Sequence, residues 1–123
     1  MEQELSMYLF VNTDLKMEKG KIAGQVGHAV QIITEKILRL GYESRNIPEC
    51  YVRYNKWSRS GAKKVVLKAT QQQMEQLLNL DGHLDECITV IDAGRTQIEP
   101  NSMTVVGFFP TYDKKISEGF KLL

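Results

Sequence analysis

The hydrophobic and polar positions of the first half of the chain separate into one short apolar run and one long periodic stretch. The run Met7–Val11 is apolar throughout and stops at three polar residues, which is typical of a strand buried on both faces. Between Ile22 and Leu40, apolar residues recur at steps of three and four. This spacing predicts a long helix with one apolar face, and Gly41 is placed to end it.

The second half alternates between short apolar runs and turn signals. Three runs predict further strands: Lys63–Lys68, Ile88–Ile91 and Thr104–Phe108. Thr70, followed by Gln73, forms a capping-box pattern, so we expect a helix there that Gly82 can end. The segment Asp113–Gly119 predicts a last short helix. Residues 41–60 fit either a second short helix or an irregular cover, and the pattern does not decide between them.

The order of these elements predicts the fold class. Strands that alternate with helices require crossovers, which place helices on both faces of a mostly parallel sheet. The connection between the last two strands contains Gly94, Pro100 and a turn signal. It leaves little room for a helix, so the fourth strand is expected to run antiparallel to the third. We therefore expect one domain over residues 1–123, an α/β/α sandwich in three layers around a mixed, mostly parallel four-stranded sheet.

Composition narrows the function classes. A length of 123 residues suits one hydrophobic core. A net charge of +1 means that any nucleic acid must be bound by a local basic patch. Neither cysteine lies in a C-x-x-C pair, so no zinc site is expected. No apolar run reaches membrane-spanning length, and the acidic N-terminus does not resemble a signal peptide, so we expect a cytoplasmic protein.

The predicted topology gathers polar side chains at one edge of the sheet. Ligands of open α/β sheets bind beyond the carboxyl ends of parallel strands, and polar segments follow the first and third predicted strands there. An antiparallel fourth strand begins at the same edge. We expect four side chains to converge at this edge: Lys21, Asp92, Thr96 and Thr104.

These four residue types suit the cleavage of an acyl ester by water. Asp92 can orient the attacking water or accept its proton, and Lys21 can stabilise the oxyanion beside a helix N-terminus. Thr96 and Thr104 can hold the water or the ester by hydrogen bonds. The structural alternative is that Lys21 and Asp92 form an ordinary ion pair and that the threonines only complete turns and strand ends.

Further polar residues surround this predicted site. Four cations are expected to form a basic rim: Lys16, Lys19, Lys21 and Arg95. The alternative is a solvated face whose charge is balanced by Asp14 and Glu18. His28 lies off the centre of the apolar face of its helix and can reach solvent or a ligand, although a lone flanking histidine is usually neither catalyst nor ligand. Gln25 lies nearer that face, where it contacts either the substrate or a neighbouring loop.

Four sequence motifs carry a resemblance to a known family. The string TDLKMEKGKIAGQVGHA at residues 13–29 is similar to the opening motif of class-two (archaeal and eukaryotic type) peptidyl-tRNA hydrolases. DAGRTQIEPNSMTVVG at residues 92–107 resembles their second signature, and KKVVLK at residues 63–68 resembles the strand between. The tail KKISEGFKLL is similar to the family's ending more weakly.

The resemblance implies a compact α/β/α fold and metal-free hydrolysis of peptidyl-tRNA to free peptide and tRNA, without a cofactor and often in a homodimer. The catalytic positions that it implies are Lys21, Asp92, Thr96 and Thr104. The substrate contacts that it implies are Lys16, Gln25, His28 and Arg95.

The chain also departs from the family pattern. Asn12 stands where an arginine is common, and Glu18 replaces a usual glycine. Gly24 and Gly27 replace alanine or another small residue, and we expect them to permit close packing. Two other functions stay open, a binding module that no longer cleaves and an esterase for a small acyl substrate.

Overall fold

The computed structural model describes residues 3–93, 99 and 101–123. Its helices and strands, in chain order, are β1 (Met7–Asn12), α1 (Lys19–Glu43), α2 (Glu49–Arg59), β2 (Lys64–Ala69), α3 (Gln71–Leu77), β3 (Cys87–Ile91) and β4 (Met103–Phe108). Short 3-10 turns cover Thr13–Leu15 and Lys114–Ser117. Within the described residues, no helix is both long enough and apolar enough to cross a membrane.

The described strands form one four-stranded sheet in the order β2-β1-β4-β3. The strands β1 and β2 are parallel, whereas β4 is antiparallel to both of its neighbours, β1 and β3. The predicted antiparallel pairing of β4 with β3 is therefore confirmed. The expectation of a mostly parallel sheet is wrong, because β4 returns directly beside β3 and inserts between it and β1. The strands β1, β2 and β3 still point the same way, so their carboxyl ends share one edge.

Two apolar layers lie on opposite faces of the sheet. In β1, Met7, Leu9 and Val11 face the core that includes residues of α1 and α2. The intervening Tyr8 and Phe10 face the second core, which includes residues of α3. Successive side chains of a strand point to opposite faces, so an uninterrupted apolar run is required where both faces are covered. This arrangement confirms the α/β/α layers.

The contact between α1 and α2 corrects the predicted end of the long helix. Helix α1 continues through Gly41 to Glu43. A Cβ atom at Gly41 would collide with the ring of Tyr51 in α2, so this glycine permits the two helices to approach each other. Residues 41–60, which the pattern left undecided, contain α2, and Trp57 anchors it by donating a hydrogen bond to the carbonyl of Lys63 at 2.8 Å.

The helix α3 combines a correct local prediction with a wrong one. Thr70 accepts from the backbone of Gln73 at 3.2 Å, and the Gln73 side chain accepts from the backbone of Thr70 at 2.9 Å, so the capping box is confirmed. The helix nevertheless ends at Leu77, before Gly82. Gly82 has a φ of +84° in the turn that follows, a backbone conformation for which glycine is suited.

Candidate active site

Lys21 and Asp92 meet at the edge of the sheet where β1 and β3 end. Lys21 lies in the first turn of α1, and its Nζ atom is 2.5 Å from Oδ1 of Asp92. Asp92 directly follows β3, where its backbone N–H donates to Ser102 at 2.9 Å and its carbonyl accepts from Asn101 at 2.9 Å. The side chains are 17% and 6% exposed, respectively. Their pairing thus joins two segments that are 71 residues apart in the chain.

A β-bulge beside this pair sets the direction of Thr104. Val90 is opposite Val105 and Ile91 is opposite Met103, so Thr104 is the extra residue of β4. Such a bulge re-aims a side chain. The Thr104 side chain consequently turns toward α1, where it is fully buried.

Gln25 of α1 receives the Thr104 hydroxyl. The Thr104 Oγ1 atom donates to Gln25 Oε1 at 2.7 Å and lies 3.2 Å from the carbonyl of Val90. Gln25 is itself buried, one turn after Lys21, and residues four apart share a helix face. The four-residue spacing from Lys21 indicates that Gln25 lies on the same side of α1. The sequence did not identify Thr104 as the hydrogen-bond partner of Gln25.

The other residues of the predicted site are distributed differently. Lys16, Lys19 and His28 are exposed, and Lys16 has a left-handed backbone with a φ of 51°. Their exposure leaves them accessible to a ligand, whereas Gln25 is buried. Arg95 and Thr96 lie outside the described residues.

The arrangement brings together the groups that ester hydrolysis by water needs. A carboxylate can orient water or accept a proton, while an ammonium at a helix N-terminus stabilises a developing oxyanion. The first backbone N–H groups of α1 are added donors, because the first turn of a helix has no intrahelical acceptors for them. In the part of the chain that the structure describes, no three His, Cys, Asp or Glu side chains group as metal ligands would.

Comparison with known proteins identifies the family of this chain. The family model described as Peptidyl-tRNA hydrolase PTH2 matches residues 5–123. The chain belongs to this family. A protein named peptidyl-tRNA hydrolase from Methanococcus vannielii is 37% identical over 119 residues, which cover 94% of this chain and 93% of the relative.

Animal relatives are similar over a smaller share of their own length. The protein of Homo sapiens named peptidyl-tRNA hydrolase 2, mitochondrial, is 42% identical over 111 residues, which cover 87% of this chain and 56% of the relative. A Caenorhabditis elegans protein named probable peptidyl-tRNA hydrolase 2 is 38% identical over 123 residues, covering 95% of this chain and 36% of that one.

In this member of the PTH2 family, the buried Asn12 side chain connects the end of β1 to neighbouring segments by hydrogen bonds. Its buried amide donates to Gln71 Oε1 at 2.7 Å and to the Met103 carbonyl at 2.9 Å. Its Oδ1 atom accepts from the backbone of Asp14 at 3.0 Å. Asn12 therefore fixes the residue before Thr104, a structural role that the sequence did not reveal.

Two further departures of this family member lie on the surface. Gly24 and Gly27 are exposed, and a Cβ atom at either would have no described neighbour within 4 Å. The expectation that they permit close packing is therefore wrong for the described part of the protein. Glu18 is exposed immediately before α1, and among the described residues its side chain makes no capping hydrogen bond.

Proposed function

We propose that this protein hydrolyses the ester between peptide and tRNA in peptidyl-tRNA, releasing free peptide and reusable tRNA. The observation that carries the proposal is the Lys21–Asp92 pair, 2.5 Å apart at the sheet edge of a chain that belongs to the PTH2 family. The names of its relatives supply the substrate. The fold supplies an acid–base group and a cation at one place.

The proposed reaction assigns one step to each charged group. Asp92 orients a water molecule and takes its proton as the water oxygen attacks the ester carbonyl. The Lys21 ammonium and the N–H groups at the start of α1 stabilise the resulting oxyanion. The bond between the carbonyl carbon and the ribose oxygen then breaks, and the proton passes from Asp92 to that oxygen.

The two threonines have different proposed roles. Thr104 is fully buried, so we assign it a positioning role, in which its hydrogen bond to Gln25 fixes the start of β4 against α1. For Thr96 we keep the expectation that its hydroxyl holds the water or the ester.

The basic rim is the proposed landing surface for tRNA. Lys16 and Lys19 are exposed and precede Lys21 closely in the sequence, and His28 is exposed further along α1. Phosphate contacts of this kind give affinity that falls with salt. We include Arg95 in this surface as an expectation from the sequence motif.

We also expect a cytoplasmic protein, and we expect it to form a homodimer, as the family resemblance implies. Light scattering on the purified protein would measure the mass directly. A monomer at concentrations well above the assay range would exclude the dimer without affecting the proposed chemistry.

A second candidate function is a module on the same fold that binds RNA or a protein partner but does not cleave. Glu18 motivates it, because this exposed carboxylate between the exposed Lys16 and Lys19 disfavours the phosphate contacts that cleavage of peptidyl-tRNA would use. Retention of Lys21 and Asp92 as a close pair favours cleavage. Binding of several peptidyl-tRNAs without turnover would decide for the second candidate. An esterase for small acyl groups would instead ignore competition by uncharged tRNA.

The deciding experiment is cleavage of an N-blocked aminoacyl-tRNA with EDTA present, comparing the wild type with Asp92→Asn. The amide keeps the shape of the side chain but cannot accept the proton, so turnover should fall by about 10²- to 10⁴-fold. Glu4→Gln is the matched control, because it breaks an exposed ion pair with Lys63 of similar length, 2.6 Å, outside the proposed site. Full activity of a folded Asp92→Asn protein would contradict the proposed role.

A further inference from the structure

The two outer edges of the sheet are treated differently. At the β2 edge, the backbone of Lys68 donates to Lys121 at 2.8 Å, and that of Leu123 donates to Val66 at 3.0 Å, so the C-terminal tail covers this edge. At the other edge, β3 pairs with β4 on one side, and no described residue pairs with its other side. An uncovered edge strand is a ready template for another extended chain.

The register identifies which backbone groups of β3 face outward. The backbone of Phe109 donates to the carbonyl of Glu86 at 2.9 Å, so Glu86 is a hydrogen-bonded position of the antiparallel pair with β4. Hydrogen-bonded and non-hydrogen-bonded positions alternate along such a pair. The N–H and C=O groups of Cys87, Thr89 and Ile91 therefore point away from β4, toward the open side.

This open edge leads directly into the candidate active site. The strand β3 ends at Ile91, and the next residue is Asp92. Two apolar side chains are exposed here, Ile91 at the end of β3, which is 51% exposed, and Leu84 three residues before the strand, which is 58% exposed. Five strand residues at about 3.3 Å each give a template roughly 16 Å long.

We propose that the peptide part of peptidyl-tRNA binds along the outer edge of β3 as an additional strand, parallel to β3. The inference rests on the proposed function. Its direction follows from the chemistry, because the scissile ester is at the carboxyl end of the peptide and Asp92 is at the carboxyl end of β3. A peptide that enters parallel to β3 carries its ester to Asp92, whereas an antiparallel peptide would carry it to the opposite edge of the sheet.

Recognition of this kind suits a substrate whose sequence is not fixed. Hydrogen bonds between main chains give affinity for any peptide, and side-chain pockets give only secondary preferences. Leu84 and Ile91 would contact apolar side chains of the bound peptide without demanding particular ones. The sheet already contains one pair of parallel strands, β1 and β2, with the pairing that we propose for the peptide and β3.

The test compares tRNAs acylated with N-acetylated peptides of one to eight residues. Because β3 presents five residues, kcat/KM should rise by roughly 10- to 100-fold up to about five residues and then level off, as expected for two or three added hydrogen bonds. In a parallel pair, only every second peptide residue turns its N–H toward the neighbouring strand. N-methylation at successive residues should therefore alternate between a roughly 3- to 10-fold loss and little effect.

A matched pair of protein variants tests the same edge by changing the strand instead of the peptide. Thr89→Pro removes an outward N–H group without removing a bond to β4, and proline is tolerated in edge strands in that orientation. Lys68→Pro removes an outward N–H group at the β2 edge, where the C-terminal tail accepts it. Thr89→Pro should reduce the gain in kcat/KM from one residue to five, and Lys68→Pro should retain that gain.

Each outcome decides a different question. An alternating effect of N-methylation supports the added strand, even if Thr89→Pro fails to fold. Cleavage of all substrates with no dependence on peptide length or N-methyl position overturns it and leaves the proposed hydrolysis standing. Loss of a dimer in Thr89→Pro without an alternating effect would assign the edge to a second copy of this chain and also overturn it. Absence of cleavage of every substrate would refute the proposed function and this inference with it.

Discussion

The Thr104 hydroxyl donates a hydrogen bond to Gln25 at 2.7 Å inside the protein, where both side chains are buried. The bond links the bulged start of β4 to the helix that carries Lys21. Because Asp92 directly follows β3, the strand that faces this bulge, a shift of β4 would disturb the Lys21–Asp92 pair. The Gln25–Thr104 bond therefore supports the candidate site without needing to touch the substrate.

Gln25→Leu should lower kcat by about tenfold and destabilise the fold by about 1 kcal/mol, because Thr104 loses its nearer acceptor but keeps the carbonyl of Val90. Thr104→Val should have similar effects. If the two side chains act as one unit, the double variant will be no worse than the poorer single variant. Kinetics and urea unfolding measure both terms, and strictly additive losses would contradict the proposed coupling.

Local signals explain which features of this fold can be predicted from the sequence. The Thr70–Gln73 capping box forms within four consecutive residues, and β1 reads directly as an apolar run. The bulge that turns Thr104 depends on its pairing with β3. Gly41 looks like a helix stop, yet it lies within α1 because of its contact with Tyr51. The outcomes at Gly41 and Thr104 therefore depend on contacts between distant segments, which a local pattern does not contain.

The same contrast applies to the site. Topology placed Lys21 and Asp92 at one edge because the strands β1 and β3 point the same way, a relationship that element order predicts. The strand β4 lies between β1 and β3 because it pairs with both of them. The expectation of a mostly parallel sheet did not include this pairing. Thr104 contacts Gln25 because of this position of β4, and the periodicity of a helix cannot predict such a contact.

Gly41→Ala should destabilise the protein by about 1–3 kcal/mol, because the new methyl group meets the Tyr51 ring in a packed contact between α1 and α2. Gly24→Ala on the same helix is the matched control. It has no described neighbour within 4 Å and should stabilise by about 0.5–1 kcal/mol through helix propensity. Thermal or urea unfolding compares the two, and equal effects would refute the close helix contact.

Asp113→Asn should change the acid stability of the protein. The Asp113 carboxylate accepts from His83 at 2.9 Å, and this hydrogen bond holds the pKa of Asp113 below its ordinary value of 3.8. A lowered carboxyl pKa stabilises the folded state above that ordinary value, and the stabilisation is lost as pH falls through the folded pKa. The side chain is 41% exposed, so the effect should not exceed about 1 kcal/mol.

Urea unfolding at pH 6, 4 and 3 measures this difference. The amide introduced by Asp113→Asn keeps an oxygen for the backbone of Lys115, which Asp113 Oδ1 accepts at 3.0 Å, so the comparison isolates the charge. The gap between the wild type and Asp113→Asn should narrow below pH 4, and His83→Gln should weaken the same pH dependence. A gap that widens toward low pH would have the wrong sign.

Glu18→Gln should tighten binding to tRNA, because it removes a negative charge between Lys16 and Lys19 on the proposed landing surface. No described capping bond of the Glu18 side chain is lost, so the start of α1 should be unchanged. Lys19→Ala should weaken binding and reduce the slope of log affinity against log salt by about one. Glu4→Gln removes an acidic charge outside this surface and serves as the control. Filter binding of uncharged tRNA across a salt series measures all three, and equal affinity of Glu18→Gln and Glu4→Gln would place the RNA elsewhere.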